Sequence, residues 1–334
     1  MWDNVQEKNI QCKLCARRCI INPDKTGFCR VRKNIDGTLY SLNYGKACAA
    51  HADPIEKKPL FHFHPGTKTY SIATVGCNFR CKFCCNWQIS QENRIIGTDL
   101  PPEKIVKLAK DHNCQGISYT YTEPTIFYEY AYDIAKKAEK EGLYNTFVTN
   151  GYMTTDAIDF IAPYLDAATI DFKGGADPEF YLRFSSVPSV TPIFEALKAM
   201  KHHNIHLEVT NLVVPGVGDS MNKIRELCSW IATNLGKETP MHFLRFHPQY
   251  DAIDIPLTPR DSIVNARRIA NDEGLSYVYA GNLPGDMGEN TYCPKCQTSI
   301  IERWGFSITS WNMTNDARCP SCGTFLPFIF NVKE

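Results

Sequence analysis

Cys77, Cys81 and Cys84 are separated by three and then by two residues. They follow an apolar run at 70–76, which is typical of a strand, so we expect the three cysteines on the loop that leaves that strand. A four-iron cluster ordinarily takes four thiolates. Because this loop offers three, one iron would keep an open position at which a substrate or cofactor can chelate it.

This Cys-x3-Cys-x2-Cys spacing, with Phe83 directly before the last cysteine, resembles the signature of the radical S-adenosylmethionine (SAM) superfamily. The resemblance implies that Cys77, Cys81 and Cys84 hold a [4Fe–4S] cluster whose open iron binds the amino and carboxylate groups of SAM. It also implies reductive cleavage of SAM to methionine and a 5′-deoxyadenosyl radical that abstracts hydrogen from a substrate. We expect Cys85 to pack beside the loop. A zinc site or buried free thiols are the alternatives for the triplet.

The composition of the chain sets limits on its compartment and partners. Lys plus Arg equals Asp plus Glu at 36 each, so charge does not favour a nucleic-acid partner. The N-terminus is polar, and no apolar run approaches the roughly 18 residues of a membrane span. We therefore expect a cytoplasmic protein without a membrane partner. Thiols stay reduced in that compartment, so the 15 cysteines indicate metal binding rather than disulfides.

A second cluster of cysteines lies near the N-terminus, at Cys12, Cys15, Cys19 and Cys29. A turn-like segment at 22–27 separates the last cysteine from the others, and the segment is too short for a hydrophobic core. Four thiolates in such a segment predict a small knuckle held by a metal. We favour tetrahedral zinc. An auxiliary iron–sulfur cluster and a knuckle without metal are the alternatives.

A third cluster lies near the C-terminus, where Cys293 and Cys296 form one Cys-x2-Cys pair and Cys319 and Cys322 form another. Two such pairs flanking β-rich sequence are typical of a zinc ribbon. The alternative is a rubredoxin-like iron site. A structural site has no open coordination position, so we do not expect catalysis there.

The segment 53–66 contains two Lys, two His and a final Pro-Gly, and a third His, His51, lies just before it. We interpret it as an ordered linker laid across the mouth of the domain that follows. Its first part, Asp53–Leu60, resembles a segment of the AmmeMemoRadiSam branch of radical SAM proteins, as does the N-terminal four-cysteine knuckle. That resemblance implies partners of the MEMO and AMMECR type.

Strand-like apolar runs alternate with helical patterns between about 69 and 283. This alternation predicts an α/β fold of parallel strands joined by right-handed crossovers. Six or seven such units, with the cysteine loop after the first strand, resemble the partial TIM-like (β/α)6 barrel of radical SAM enzymes. We predict an N-terminal Cys-rich knuckle with its linker (1–68), the partial barrel (69–283) and a C-terminal zinc ribbon (284–334).

The boundaries of the predicted elements follow from apolar periodicity and from Pro and Gly at helix ends. The predicted strands lie at 71–75, 116–119, 145–149, 168–172, 206–213, 242–246 and 276–279. The predicted helices lie at 102–112, 126–141, 155–162, 191–203, 220–234 and 259–272. Parallel βα folds place chemistry on the loops after the strands, and polar residues stand at those positions.

Several of these polar residues match motifs that contact SAM in related enzymes. Glu123 resembles the acidic residue of the Gly-Gly-Glu-type motif, although Tyr121 and Thr122 replace its glycines. Asp171 and Lys173 resemble the Asp-x-Lys of pyruvate formate-lyase activating enzymes. The resemblance implies SAM binding by Phe83 near the adenine and by Glu123, Asn150, Asp171, Lys173 and Asn282.

Structural roles compete with these assignments. Glu123 precedes a helical pattern and could act only as its cap, since carboxylates favour helix N-termini. Asp171 and Lys173 stand at alternate positions of one strand and could form a pair at the rim of the barrel.

The function that the resemblance implies is that of a radical SAM oxidoreductase similar to the pyruvate formate-lyase activating enzymes. A backbone glycine of a protein is the first substrate class, and a reductant such as ferredoxin or flavodoxin would supply electrons. A small molecule or a peptide side chain is the second. A non-catalytic iron–sulfur or zinc protein that transfers electrons or scaffolds an assembly is the alternative from another class.

Overall fold

Short antiparallel strands form the N-terminal part of the chain. The computed structural model describes residues 1–5, 7–283 and 285–330 of the 334 residues. The strands of the N-terminal part are β1 (Trp2–Asn4), β2 (Ile10–Cys12), β3 (Ile20–Ile21), β4 (Arg32–Ile35), β5 (Thr38–Ser41), β6 (Lys46–Ala47) and β7 (Ala49–Pro54). β1, β2 and β3 pair in that order. β4 and β5 form a hairpin whose two turn residues, Asp36 and Gly37, both have positive φ, as a type I′ turn requires.

A largely parallel sheet forms the centre of the molecule. Its further strands are β8 (Lys68–Ala73), β10 (Gly116–Tyr119), β11 (Tyr144–Thr149), β12 (Ala167–Lys173), β13 (His206–Val213), β14 (Met241–Arg245) and β15 (Val278–Gly281); the short β9 (Thr98–Asp99) pairs with β6 instead. The strand order is β15-β14-β13-β12-β11-β10-β8-β7. Each neighbouring pair is parallel except β7 and β8. Within the described residues β7 and β15 stand at opposite edges, so the sheet is open.

Helices connect the parallel strands. They are α1 (Trp87–Ser90), α2 (Pro102–Asp111), α3 (Tyr128–Lys140), α4 (Thr155–Ile161), α5 (Pro178–Ser185), α6 (Thr191–His202), α7 (Met221–Asn234) and α8 (Arg260–Asp272). Short 3₁₀ turns lie at Ile55–Lys57, Pro124–Phe127, Ala162–Tyr164, Gly174–Ala176, Tyr250–Ala252 and Met287–Glu289. None of the helices in the described ranges has both the length and the apolar character to cross a membrane.

The predicted α/β fold on a parallel sheet is confirmed, strand by strand and in chain order. Two elements differ from the expectation. β7 is not among the predicted strands, since its Ala and His residues give no β-branched signal, yet it adds an antiparallel edge strand through six residue pairs with β8. α5 was not predicted because its eight residues are too few for a clear helical period.

The C-terminal part is a small antiparallel sheet with its own core. Its strands are β16 (Thr291–Tyr292), β17 (Ser299–Trp304) and β18 (Ser307–Trp311), which pair in that order. Ile300 and Ile301 are fully buried beside Cys293 and Cys319. The predicted unit at 284–334 begins at Pro284, which lies outside the described residues, as do its last four residues.

We expected the segment that connects β7 to β8 to lie across the mouth of the domain, at the carboxyl ends of the parallel strands. It lies instead toward their amino ends, which we call the floor, and this corrects the expectation. The hydroxyl of Thr169, in the middle of β12, donates to the carbonyl of Lys58. The backbone N–H of His62 donates at 2.7 Å to Glu208, near the amino end of β13. The physical reason is the burial of apolar surface, because Leu60 packs with other buried side chains at the amino ends of the strands.

Candidate active site

The cysteine loop begins where β8 ends and is fixed by its neighbours. Gly76 has a φ of 98°, and a Cβ at this position would lie 2.8 Å from the carbonyl oxygen of Cys29. Only glycine combines this conformation with so close an approach. The backbone N–H groups of Arg80 and Lys82 donate to the carbonyls of Ser185 and Phe184, at 3.0 and 2.9 Å. The end of α5 therefore holds the loop in place.

The three cysteines of the loop line one cavity of about 770 Å³ at the carboxyl ends of the strands. Cys81 donates from Sγ to Ser185 Oγ at 3.3 Å, and Cys84 Sγ lies 3.2 Å from Ser90 Oγ. Burial raises the pKa of Cys77 well above its usual value, and burial raises the pKa of Cys81 to about 11. Thiols in such surroundings become thiolates when a metal binds them, so three soft donors facing one cavity fit the open-cornered cluster.

Cys85 differs from the expectation that it packs beside the loop. The residue is exposed and lines the same cavity. Cys85 lies outside the Cys-x3-Cys-x2-Cys spacing of the three cysteines assigned to the cluster.

Glu123 follows β10 and is almost completely buried. Its carboxylate accepts hydrogen bonds from the hydroxyl of Thr149 at 2.7 Å, the backbone N–H of Asn150 at 2.9 Å and the backbone N–H of Thr125 at 3.1 Å. Burial raises the pKa of Glu123, and these hydrogen bonds oppose that shift. Glu123 thus caps the turn after it, and it also faces the cavity, so the two roles occur together.

Asn150 follows β11 and joins two loops of the site. Its side-chain Nδ2 donates to Oδ1 of Asn78, in the cysteine loop, at 2.7 Å. Its Oδ1 accepts from the backbone N–H of Tyr152 at 3.0 Å. Both hydrogen bonds fix the orientation of the amide at the wall of the cavity.

Asp171 and Lys173 stand near and at the end of β12. Asp171 accepts from the hydroxyl of Thr210 at 2.6 Å. The ammonium of Lys173 donates to the backbone carbonyl of Asp171 at 2.9 Å and not to its carboxylate. The two side chains are therefore not paired with each other, and both line the cavity.

Phe83 and Asn282 also line the cavity. Phe83 is buried and stacks on Phe180 of α5, with ring centroids 5.6 Å apart. Asn282 is exposed after β15 and donates to the carbonyl of Arg245 at 3.2 Å. All nine residues assigned from the sequence to the cluster or to SAM line this one cavity.

The sequence reasoning missed an ion pair on the floor of the cavity. Lys58 is 1% exposed and donates to Asp53 at 2.8 Å, and the hydroxyl of Tyr121 donates to the same carboxylate. Burial lowers the pKa of Lys58 to about 8, although the charge of Asp53 opposes that shift. In the sequence Lys58 is indistinguishable from Lys57, which is exposed, so only the path of the backbone reveals it.

The four C-terminal cysteines converge on one point. Cys293 and Cys322 place their sulfurs 3.6 Å apart, and Cys296 and Cys319 place theirs 3.5 Å apart. In the described part of the chain, they are the one group of metal-binding side chains whose ligand atoms all lie within 4.8 Å of one another. Four sulfurs at this spacing fit a single tetrahedral ion.

The four N-terminal cysteines also meet, around a separate small cavity. Cys12 and Cys29 are buried, and Cys15 and Cys19 are half-buried. Their sulfurs do not form a group within 4.8 Å of one another.

Comparison with known proteins agrees with this geometry. The family model of the radical SAM superfamily matches residues 71–231. The chain is 44% identical over 331 residues to uncharacterized protein MJ0808 of Methanocaldococcus jannaschii, covering 98% of both chains. It is 22% identical over 206 residues to the pyruvate formate-lyase-activating enzyme of Clostridium pasteurianum, covering 59% of this chain and 84% of that enzyme.

A solved structure supports the same fold. The radical SAM methyltransferase from Sphaerobacter thermophilus superposes with a TM-score of 0.52 at 15% identity, covering 68% of this chain and 71% of that one. At this identity the similarity concerns the fold alone. Together with the family match, the parallel sheet and the three cysteines after its first parallel strand, it leads to one conclusion: the chain belongs to the radical SAM superfamily.

Proposed function

We propose that this protein is a radical SAM enzyme in which Cys77, Cys81 and Cys84 hold a [4Fe–4S] cluster. The observation that carries the proposal is the shared cavity, which brings these sulfurs together with side chains from the ends of β10, β11, β12 and β15. The volume of about 770 Å³ is sufficient for a nucleoside-sized ligand and a second molecule.

The residues around the cavity have complementary tasks. When cluster and SAM are bound, they supply one-electron cleavage of SAM to methionine and a 5′-deoxyadenosyl radical. Glu123 offers a carboxylate to the ammonium of SAM, and Lys173 offers a cation to its carboxylate. Asn150 and Asn282 offer amides to ribose hydroxyls, and Phe83 supplies an apolar surface for adenine.

A backbone glycine of a partner protein is the first substrate that we propose. Two relatives support it by name: the pyruvate formate-lyase-activating enzyme and a putative glycyl-radical enzyme activating enzyme of Methanocaldococcus jannaschii, 23% identical over 202 residues. Asp171 and Lys173 also support this substrate, because they match the Asp-x-Lys pattern of pyruvate formate-lyase activating enzymes. A reductant such as ferredoxin or flavodoxin would supply the electron.

A small molecule is the second candidate, and the closed floor of the cavity favours it. Lys58 and Phe61 line that floor, and the segment carrying them is hydrogen-bonded to β12 and β13. A substrate that enters through the mouth meets this floor, which limits the depth of the cavity and favours a compact molecule.

The test is anaerobic reconstitution followed by reduction and quantification of 5′-deoxyadenosine. We expect cleavage of SAM by the wild type and by Cys85→Ala, because Cys85 is not one of the three cysteines proposed to hold the cluster. We expect none by Cys81→Ala, which removes one of those three. Absence of cleavage in a wild-type protein with a full iron load and bound SAM would contradict the proposal and favour an electron-transfer or scaffold protein. Acceleration by candidate proteins or small molecules then separates the two substrate classes.

A further inference from the structure

The N-terminal and C-terminal cysteines build sites of different size. At the C-terminus the four sulfurs lie within 4.8 Å of one another, as one tetrahedral ion requires. At the N-terminus, which is described in full around the four cysteines, no three of the sulfurs all lie within that distance of one another. Four irons at the corners of a cube hold their thiolates further apart than one ion does. The wider spacing therefore suits a cluster.

The space between the N-terminal cysteines leads to the same conclusion. Cys12, Cys15, Cys19 and Cys29 line one cavity, which has a volume of about 20 Å³. At zinc distances, about 2.3 Å from the ion, four sulfurs touch one another and leave no room for a water between them. The cavity is thus larger than a zinc site.

Two buried donors without partners also line this cavity. Arg32 is 3% exposed and Asn78 is fully buried. Nε of Arg32 and Nδ2 of Asn78 make no hydrogen bond within the described residues. Buried polar groups rarely lack a partner, so each such group needs an explanation. A cluster would supply sulfide as well as thiolate sulfurs as acceptors for these two N–H donors, so the lining of the cavity fits one.

The cavity adjoins the loop that carries the catalytic cysteines. Asn78 lines it and is covalently bonded to Cys77. Arg80 donates to the carbonyl of Cys77 at 2.8 Å and also to the carbonyl of Phe28, next to Cys29. Arg17 packs over the ring of Phe28 and donates to the carbonyl of Asn78. One covalent bond and several hydrogen bonds therefore join the two sites.

We propose that Cys12, Cys15, Cys19 and Cys29 hold a second [4Fe–4S] cluster, and that electrons reach the catalytic cluster through it. One electron enters from a low-potential donor of the ferredoxin or flavodoxin class and moves on to the site at Cys77. The N-terminal site then returns to its oxidised state, and no bond forms or breaks. The electron path rests on the proposed function, whereas the metal assignment does not.

The test of the metal assignment uses a chain in which Cys77, Cys81 and Cys84 are all replaced by Ala. After anaerobic reconstitution we expect about four iron and four sulfide per chain, together with one zinc at the C-terminal site. Reduction with dithionite should produce the electron paramagnetic resonance signal of a reduced cluster. Two zinc without iron, or an N-terminal site without metal, would overturn the assignment.

The wild type gives the same answer if that variant fails to fold. It should contain about eight iron and one zinc, against about four iron and two zinc if the N-terminal site held zinc. Cys19→Ser should lower the iron content to about four, and Cys48→Ser, outside every cluster, should leave it at eight. Eight iron without cleavage of SAM would refute the proposed function and leave this inference intact.

The electron path has its own measurement. Cys19→Ser should slow the reduction of the catalytic cluster by reduced flavodoxin at least tenfold. The electron paramagnetic resonance signal of the reduced catalytic cluster measures this rate. Reduction by dithionite, a small molecule that enters the cavity directly, should stay within twofold of the wild type. Equal slowing by both reductants, or slowing by neither, would refute the path.

Discussion

The side-chain amide of Asn150 donates a hydrogen bond to Oδ1 of Asn78 at 2.7 Å. The bond joins the end of β11 to the cysteine loop after β8, in the interior of the molecule. Asn78 also lines the N-terminal cavity, whereas Asn150 lines the large one. A single buried amide pair thus stands between the two sites.

Asn150→Ala should weaken both the fold and the binding of SAM. The change leaves the buried Oδ1 of Asn78 without its donor, which costs about 1–3 kcal/mol of unfolding free energy. SAM affinity should fall about tenfold if one hydrogen bond to the ligand is lost. Asn282→Ala is the matched control, because Asn282 is exposed: it should lower SAM affinity with a smaller loss of stability, which comes from its hydrogen bond to Arg245 and its positive φ of 59°. An equal loss of stability in both variants would contradict this reading.

Glu123→Gln should reduce the affinity for SAM at least tenfold while the iron content stays unchanged. The amide removes the negative charge, and its NH₂ group would face donors from Thr149 and Asn150. Equilibrium binding of SAM to the reconstituted variant measures the effect. Glu289→Gln, a buried carboxylate elsewhere on the wall of the cavity, should stay within twofold of the wild type. Unchanged affinity in Glu123→Gln would remove Glu123 from the SAM site.

The sequence predicted the parallel sheet because strand-like runs alternate with helical patterns between about 69 and 283. It also located Glu123, Asn150 and Asp171, since each directly follows or ends such a run and parallel strands place those ends together. These predictions rest on local patterns that a single sequence contains.

Features that depend on contacts between distant segments could not be predicted. β7 forms only because β8 offers an unpaired edge to an Ala-rich segment. The burial of Lys58 depends on a backbone contact with Thr169, more than one hundred residues away. The spacing of the N-terminal sulfurs is set by how three segments meet, and residue types alone do not determine that distance.

Asp53→Asn should destabilise the protein by about 3–5 kcal/mol, because it leaves the buried ammonium of Lys58 without a counter-charge. Lys57→Met is the matched control: Lys57 contacts the same carboxylate, but its side chain is 38% exposed, so we expect a loss of less than about 1 kcal/mol. Thermal unfolding of both reconstituted variants measures the difference. Similar melting temperatures for the two would show that the ion pair with Lys58 does not stabilise the floor.

Cys319→Ser should remove one zinc per chain and leave the iron content unchanged. The four C-terminal sulfurs lie together beside the buried Ile300 and Ile301, so loss of one donor should weaken the binding of the zinc that we predict there. Metal analysis and limited proteolysis within 291–311 measure the change. Cys228→Ser, a buried cysteine of α7 outside every cluster, is the control for the loss of a thiol. Iron, and not zinc, lost with Cys319 would indicate a rubredoxin-like site.

His62 links the segment between β7 and β8 to the C-terminal part. Its ring is fully buried and stacks on Phe328 at 4.0 Å between centroids, and its Nε2 lies 2.6 Å from the hydroxyl of Tyr279. Burial lowers the pKa of His62 to about 3; Arg303 and His206 act in the same direction, while Glu208 and the carbonyl of Pro327 oppose the shift. The ring is therefore neutral at neutral pH.

This depressed pKa predicts a loss of stability in acid. Between pH 6.5 and pH 3 the unfolded chain protonates His62 and the folded chain does not, so stability falls as the pH falls through that window. At pH 5, which is about 1.5 pH units below the unfolded-state pKa of about 6.5, the loss from this residue is about 2 kcal/mol. Each pH unit corresponds to about 1.4 kcal/mol. His62→Gln keeps a polar group near Tyr279 but does not titrate, so its melting temperature should fall less between pH 7.5 and pH 5 than that of the wild type. Because every other titrating group is common to both proteins, equal slopes would mean that His62 takes up its proton in the folded state.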